Sequence, residues 1–334
     1  MIITFVIPVL NEEKVIFNCL DSIYLQKFSS NITLRTIVYD SGCTDSTIDV
    51  IKKNFKKVKI KKNKKKRAEF ALLDTYQNEE TDLIVCFAAD NILRDFNWVS
   101  RMVEPFTYVS NLHCAFTNIE VYEDSNTINK YYSDLHVEPF TWFVYGEKAN
   151  PKFFKKYFKI IHEHKNYCVF QFDENNHPLI ALAQGFIFKK NIRNLNLTSG
   201  DDIMPFLEMV KRNYNFCYVK NLGIEHKHVE SYSDFNNKYR KRIINNVYNK
   251  HGFQLRENSL NKIRKFKSFL FLIYSLTIII PIFKTLYEVI LKKRIYFKWH
   301  IILCLNLSLN IIGIYIGYLL KKLFRNLWNF LLAK

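Results

Sequence analysis

The sequence predicts an α/β fold over its first two thirds and membrane-associated helices near its C-terminus. Two apolar segments, residues 4–10 and 36–39, each end in a polar loop, as buried strands do. A helical segment follows each of them, and consecutive strand–loop–helix units are typical of a parallel sheet. Much later, residues 299–320 form a run of 22 without a charged side chain. As a helix this run is about 33 Å long, enough to cross a bilayer.

Acidic residues follow both of the first two strands. The first strand runs into Pro8, Asn11 and Glu12, and the second ends at Asp40 before a small-residue turn. Ligands of parallel sheets bind at the carboxyl ends of the strands, so these side chains are candidates for ligand contact. The Ser and Thr residues of the turn are expected to cap a helix over residues 46–54. The alternative is that the acidic residues only cap turns and helices, as Asp often does.

These two motifs resemble the opening of the family 2 glycosyltransferases of the GT-A fold. In that family a hydrophobic strand leads into P-x-x-N-E, and a second strand leads into an Asp-rich turn, here 40–47 with the sequence DSGCTDST. The resemblance covers about two thirds of the chain. It implies a Rossmann-like mixed sheet with helices on both faces and a nucleotide-sugar donor. It also assigns donor contacts to Pro8, Asn11, Glu12 and Asp40.

A third apolar segment, 81–87, runs into Ala88, Ala89, Asp90 and Asn91. The resembled family has a D-x-D motif here, whose carboxylates bind the donor and a divalent ion. The resemblance therefore implies Asp90 as a ligand of Mg²⁺ or Mn²⁺, with Asn91 beside the donor. Hard oxygen ligands suit both ions. Because Ala88 replaces the first Asp, a nucleotide-binding protein without turnover is the alternative.

Further ligands are expected from three other places. His226 and His228 alternate along the chain, so on a strand their side chains point the same way. The family often has a His here, which implies His226 as the preferred metal ligand and His228 as the reserve; a structural or surface role is the alternative. Arg67 is a candidate for phosphate contact. Gly185 lies in a segment that resembles the loop under the donor sugar, although a turn at a strand end fits equally well.

Asp201 and Asp202 precede a helix predicted over 205–213. Capping is the alternative interpretation, since acidic residues stabilise a helix start. The family has G-E-D-x-x-L at this point, which implies Asp202 as general base, Asp201 beside it, and inversion at the anomeric carbon. A hydroxyl acceptor needs a base, whereas a lipid phosphate is already ionised. Asp202 therefore favours a lipid-linked sugar or another glycan hydroxyl as acceptor over a polyprenyl phosphate.

The composition restricts the other partners. The net charge is +18, but the densest basic run, 52–67, has no aromatic stacking residue besides Phe55. A solvated face near anionic lipid or a diphosphate explains the run at least as well as nucleic acid does, and no nucleic acid partner is expected. The seven cysteines form no C-x-x-C pair, so neither a disulfide framework nor a zinc site is expected. The first strand begins at once, so no signal peptide is expected and the catalytic part is assigned to the cytosol.

The membrane part is expected to be a hairpin in the cell membrane. Residues 268–283 carry no charge but reach only about 24 Å as a helix, and Lys284 follows, so a re-entrant or interfacial segment is the alternative. In a hairpin the basic connection 292–298 faces outward. Residues 141–178 are expected to form an acceptor-facing lid or a collar near the membrane. The predicted divisions are a GT-A domain over 1–225 with a nucleotide half 1–110 and an acceptor half 111–225, a basic connector over 226–265, and a hairpin with an interfacial tail over 266–334.

Overall fold

A computed structural model describes residues 1–190, 204–249 and 262–332. The chain divides into two compact units. The first unit comprises Met1–Ser125 and Glu147–His228, and the second comprises Asn126–Gly146 and Val229–Lys334. A short central segment therefore belongs with the C-terminal part of the chain.

The first unit is built around one mixed sheet. Its strands in the described residues are β1 (Ile2–Val9), β2 (Thr33–Asp40), β3 (Lys59–Lys62), β4 (Leu83–Phe87), β5 (Asn91–Ile92), β6 (Cys114–Ile119), β7 (Lys159–Glu163), β8 (Tyr167–Gln171), β9 (Gln184–Lys189) and β10 (Asn215–His226). The order across the sheet is β3-β2-β1-β4-β9-β6-β10-β8-β7, and β5 pairs with the end of β10. The predicted parallel pairing of the first two strands is confirmed, with Val9 opposite Asp40.

Helices flank this sheet in the first unit. They are α1 (Ile16–Tyr24), α2 (Thr47–Asn54), α3 (Ala68–Asn78), α4 (Trp98–Tyr108) and α7 (Met204–Lys211), with 3₁₀ turns at Gly146–Ala149 and Pro151–Lys156. The helices predicted over 46–54 and 205–213 correspond to α2 and α7. The expected cap of α2 was wrong, since Ser46 makes no side-chain capping bond. Asp45 takes that role because its Oδ1 accepts a hydrogen bond from Thr47 N at 3.0 Å.

The central strands are buried on both faces. Phe5 and Val6 of β1 point to opposite faces of the sheet and are both 0 % exposed, as expected for parallel strands covered on both sides. The Phe5 ring lies edge-on to Phe87 of β4, with centroids 5.4 Å apart, and 6.2 Å from Trp98 of α4. Such aromatic contacts add about 0.5–1.5 kcal/mol each beyond area burial. The edge of the sheet that carries the candidate site thus rests on a well-packed core.

The second unit is helical. It contains α5 (Thr127–Leu135), α6 (Pro139–Tyr145), α8 (Tyr232–Asn249), α9 (Lys262–Leu276), α10 (Ile279–Leu286) with a π-helical continuation Tyr287–Leu291, a 3₁₀ turn Ile295–Lys298, and α11 (Trp299–Leu332). Within the described residues, one helix, Ile295–Asn326, is long and apolar enough to cross a membrane. The earlier apolar segment is a pair of helices, Phe266–Leu276 and Ile279–Leu291, bent by 84°.

Candidate active site

The loops after β1 and β2 hold each other in place. Asn11 adopts a left-handed backbone with φ of +60°, and its Oδ1 accepts a hydrogen bond from Thr44 N at 2.8 Å. Its own N–H points at Cys43 Sγ, 3.4 Å away. Asn tolerates this backbone region better than most residues. The Asn of the first motif therefore fixes the turn of the second motif.

The acidic residues of these motifs continue the bracing. Glu12 N donates to Thr47 Oγ1 at 2.7 Å, and Glu13 N donates to Asp45 Oδ2 at 3.1 Å. In return, Ser46 N donates to Glu13 Oε2 at 3.0 Å. These bonds join the two loops into one rigid rim at the carboxyl ends of β1 and β2.

Asp40 lies on this rim and closes its own turn. Its Oδ1 accepts hydrogen bonds from Cys43 N at 2.8 Å and Gly42 N at 2.9 Å. The bond from Cys43 N is the main cause that lowers the pKa of the Asp40 carboxyl. Gly42 has φ of +99°, and a Cβ there would lie 3.6 Å from Lys66 Nζ. An ionised carboxylate and an ammonium group thus lie beside the same turn.

Arg67 lies next to this rim, at the start of α3. Asn63 N donates to Asp40 O at 2.7 Å, and Asn63 Nδ2 donates to Ser41 Oγ at 3.2 Å and Arg67 O at 2.9 Å. The basic loop 63–67 is therefore attached to the Asp40 turn. The Arg67 guanidinium forms an ion pair with Glu69. Its contact with a donor phosphate stays a prediction.

Asp90, His226 and His228 meet at the end of β4. His226 Nδ1 lies 3.5 Å from Asp90 Oδ1, and His228 Nδ1 lies 3.9 Å from Asp90 Oδ2. The two imidazole rings stack, with centroids 4.9 Å apart and an interplanar angle of 17°. One potential ligand atom from each of the three residues lies within 4.8 Å of the others. The structure thus brings together the three side chains that the sequence proposed as metal ligands.

Asn91 orients His226 within this cluster. Asn91 is fully buried and opposite His226 in the β5–β10 ladder. Its Nδ2 donates to Ala183 O at 2.8 Å, which turns Oδ1 towards His226 Nδ1 at 2.6 Å. Since Oδ1 can only accept, Nδ1 carries the proton and the lone pair of a neutral His226 is on Nε2. Asn91 therefore orients a candidate metal ligand, and its own donor contact stays a prediction.

The structure also contains a buried ion pair at Glu225, the residue before His226, which was not predicted from the sequence. Glu225 is 1 % exposed, and its carboxylate accepts from Arg94 Nε at 2.7 Å and Ser125 Oγ at 3.0 Å. Arg94 also pairs with Asp124 at 2.8 Å. The signal was available in part, because an acid in a buried strand needs a partner. The identity of the partner depended on the turn after β5, which the sequence does not specify.

Gly185 has a structural explanation. Its φ is +76°, and an added Cβ would lie 3.0 Å from Trp98 Cζ2 and 3.5 Å from Ile224 Cγ2. It occupies the irregular step where β9 shifts register against β4. Backbone strain and the Trp98 ring both require Gly here. Contact of Gly185 with a donor sugar stays a prediction, as does that of Pro8, which lies in β1 opposite Tyr39.

A cavity of about 760 Å³ lies beside Arg94, and Tyr122, Tyr218, Lys152 and Gly223 are among the residues that line it. Gly223 and Glu225 share one face of β10, whereas His226 points to the other face, since side chains alternate along a strand. The cavity is therefore separate from the Asp–His–His cluster.

The sheet brings two of the three predicted carboxylates to one edge. Asp40 ends β2 and Asp90 follows β4, and both strands are neighbours of β1. Two strand spacings, about 10 Å, separate β2 from β4. Asp201 and Asp202 lie outside the described residues. The candidate active site therefore comprises the Asp40 rim and the Asp–His–His cluster.

A mixed sheet of this topology with acidic loops at its carboxyl edge is the GT-A fold of glycosyltransferases. The chain belongs to glycosyl transferase family 2, since it matches the sequence model described as "Glycosyl transferase family 2" over residues 4–175, just over half its length. The family and the fold predicted from the sequence are confirmed.

The chain is also similar to individual proteins, one matched by sequence and two by structure. A Methanococcus voltae dolichyl N-acetyl-α-D-glucosaminyl phosphate 3-β-D-2,3-diacetamido-2,3-dideoxy-β-D-glucuronosyltransferase is 33 % identical over 92 residues, which are 26 % of this chain and 28 % of that protein. The mannosyltransferase PcManGT of Pyrobaculum calidifontis, solved with GDP-Man and Mn²⁺, has a TM-score of 0.54 and 12 % identity over 96 % of this chain and 87 % of that one. TarS 1–349 of S. aureus, solved with UDP, has a TM-score of 0.46 and 12 % identity over 74 % of this chain and 66 % of that one.

Proposed function

We propose that this protein is a membrane-anchored inverting glycosyltransferase. It moves a sugar from a nucleotide diphosphate donor to a hydroxyl group of a lipid-linked sugar or another glycan acceptor, in cell-surface glycan synthesis. The observation that carries this proposal is the cluster of Asp90, His226 and His228 on the same sheet edge as Asp40.

The donor set of the cluster fits a divalent ion. One carboxylate oxygen and two imidazole nitrogens converge, and Asn91 fixes the tautomer of one imidazole. Imidazole ligands suit transition metals better than Mg²⁺, so we favour Mn²⁺ over Mg²⁺. PcManGT, one of the structural neighbours, was solved with GDP-Man and Mn²⁺. A bound ion would neutralise the charge that develops on the departing diphosphate.

The protein's own residues supply the remaining functions. The Asp40 rim is preorganised for the nucleoside of the donor by the bonds described above, and Lys66 adds a positive charge beside it. Asp202 takes the proton of the acceptor hydroxyl as it attacks the anomeric carbon on the side opposite the diphosphate. An ionised acceptor would make that base unnecessary.

A lipid-linked acceptor explains why the enzyme is attached to a membrane. The Methanococcus voltae relative is named for a dolichyl-phosphate-linked sugar, which supports a lipid-linked acceptor here. Such an acceptor is held in a bilayer, so an enzyme anchored by Ile295–Asn326 meets it at the membrane surface. We assign the catalytic unit to the cytoplasmic side of the cell membrane, where nucleotide sugars are made.

The test is sugar transfer from radiolabelled UDP- and GDP-sugars to lipid extracts, with Mn²⁺ or Mg²⁺, by membranes that contain the protein. We expect Asp90→Asn to lower transfer by about 100-fold or more, because it weakens the stabilisation of the leaving group. Asp49→Asn, at an exposed position of α2, is the matched control and leaves the rate within about two-fold, as surface changes do.

Asp202→Asn separates the acceptor classes. For a hydroxyl acceptor the loss of a general base lowers transfer by about 10²–10⁴-fold while donor binding persists. Transfer that is unchanged in Asp202→Asn but lost in Asp90→Asn supports a polyprenyl-phosphate acceptor. Activity and nucleotide binding that survive both changes contradict the proposed site.

A further inference from the structure

The bent helix pair of the second unit is too short to cross a bilayer. Its arms, Phe266–Leu276 and Ile279–Leu291, meet at 84°, and Ile278 at the junction has φ of +59°. With a rise of 1.5 Å per residue the arms are about 16 and 20 Å long, so their ends are at most about 27 Å apart at that angle. The hydrocarbon core is about 30 Å thick. Even with the line between its ends along the membrane normal, the pair is shorter than the core is thick.

The second arm has its apolar side chains on the outside. Ile279, Phe283 and Ile290 are 63 %, 68 % and 64 % exposed, whereas Thr285 and Glu288 are 7 % and 2 % exposed. A surface helix of a water-soluble protein shows the reverse pattern. A contiguous exposed apolar face of this kind needs an apolar partner. Thr285 and Glu288 instead face the protein.

That inner face holds a charged cluster. The Glu288 carboxylate lies 2.7 Å from Lys284 Nζ, 3.3 Å from Lys292 Nζ and 3.2 Å from Arg294 Nη1. Arg294 also pairs with Asp134 of α5 at 3.1 Å. Five charged groups on and around one arm are expensive at the centre of a bilayer but favourable at the headgroup level. The ion pair between Arg294 and Asp134 therefore connects the end of the second arm to α5.

The distribution of basic residues along the chain agrees with a position of the pair at the headgroup level. The basic residues form three groups along the chain. The first, at the start of the pair, is Lys262, Arg264, Lys265 and Lys267; the second, between the pair and α11, is Lys292, Lys293, Arg294 and Lys298; the third, after the apolar run of α11, is Lys321, Lys322 and Arg325. A hairpin places the middle group outside the cell, against the preference of basic residues for the cytoplasmic side. If the pair does not cross, the first two groups share that side.

We propose that the bent pair lies in the cytoplasmic leaflet, with its apolar face among the acyl chains and its cations at the level of anionic lipid phosphates, so that α11 alone crosses the membrane. The proposal rests on the proposed membrane function and deepens it. The C-terminus then lies outside the cell, opposite to the hairpin expected from the sequence. The pair is a lipid-binding surface of the enzyme on the side where we place its catalytic unit.

Labelling with a membrane-impermeant maleimide distinguishes the two topologies. Lys293→Cys, in the connection before α11, and Lys322→Cys, after its apolar run, are each made in the full-length protein. Both positions are exposed. Intact cells and broken cells are labelled in parallel, and the unsubstituted protein gives the background from the native cysteines.

We expect Lys322→Cys to be labelled in intact cells and Lys293→Cys only after the cells are broken. The opposite pattern, or labelling of neither position in intact cells, overturns the single crossing while leaving the enzyme assignment intact. Carbonate-washed membranes provide the separate check. Release of the protein into the supernatant contradicts the membrane anchor itself, and with it both proposals.

Discussion

Replacing Asn91 with Ala tests whether the hydrogen bond to Asn91 holds His226 in place within the Asp–His–His cluster. The side chain of Asn91 is fully buried and satisfies two groups, Ala183 O at 2.8 Å and His226 Nδ1 at 2.6 Å. Each group left unpaired costs about 1–3 kcal/mol, so we expect unfolding in urea to be easier by about 2–6 kcal/mol. That is a large share of a typical domain stability of about 5–15 kcal/mol.

We expect the functional effect of this change to be a lower affinity for Mn²⁺. Without Asn91 the His226 ring loses the bond that sets its orientation and tautomer, and loss of such a partner costs about 10–100-fold in affinity. The assay is titration with Mn²⁺, with free Mn²⁺ read from its electron paramagnetic resonance signal, under conditions where urea curves show the variant to be folded.

Asn63→Ala is the matched control for this measurement. Asn63 is also buried, at 6 % exposed, and its amide donates two hydrogen bonds, to Ser41 Oγ and Arg67 O. We expect a comparable loss of stability, about 1–3 kcal/mol per group left unpaired, but unchanged Mn²⁺ affinity. If Asn91→Ala is destabilised yet binds Mn²⁺ as the wild type does, Asn91 does not position a ligand and the reasoning fails.

Three further outcomes follow from the structure. Gly185→Ala forces a left-handed backbone and a Cβ 3.0 Å from Trp98 Cζ2, so it lowers stability by about 2–5 kcal/mol in urea unfolding; an effect below 1 kcal/mol would show that the strand step is relaxed. Asp45→Ala removes the bond to Thr47 N and lowers stability by about 0.5–2 kcal/mol, whereas Ser46→Ala is silent, and calorimetry with the reverse ranking would refute the assigned cap. The pKa of Asp40 is lower in the folded protein than its ordinary value, so its charge stabilises the fold above the ordinary Asp pKa, and that stabilisation disappears as the pH falls through the folded pKa. The stability difference between wild type and Asp40→Asn therefore shrinks from neutral pH to about pH 3. A difference that stays constant over this range would contradict the lowered pKa.

Much of the fold could be predicted because its signals are local. The apolar runs that end at Val9 and Asp40, with turn residues after each, specify strands and their parallel order. The long apolar run of α11 is equally plain. The antiparallel insertion of β9 between β4 and β6 could not be predicted, since β9 lies far along the chain from both strands and such pairing produces no periodic pattern in one sequence. The same holds for the 84° bend, which depends on one left-handed residue, Ile278.

The candidate site also has residues that could be predicted from the sequence and residues that could not. Asp90, His226 and His228 were predictable as residue types that bind metal, at positions that the motifs fix. Their support was not predictable, because Asn91 meets Ala183 across 92 residues and Glu225 meets Arg94 across 131. Buried polar partners of this kind are chosen by the tertiary fold, so sequence reasoning identifies that a partner is needed without identifying it.

Pulsed electron paramagnetic resonance of Mn²⁺ bound to the protein with UDP or GDP tests most directly whether the Asp–His–His cluster holds the ion beside the donor diphosphate. We expect nitrogen couplings from the imidazoles of His226 and His228, and a phosphorus coupling from the diphosphate in the same complex. The nitrogen signal should weaken in His226→Ala and in His228→Ala. Tightly bound Mn²⁺ with a phosphorus coupling but no imidazole nitrogen, or with spectra unaffected by either substitution, would contradict it.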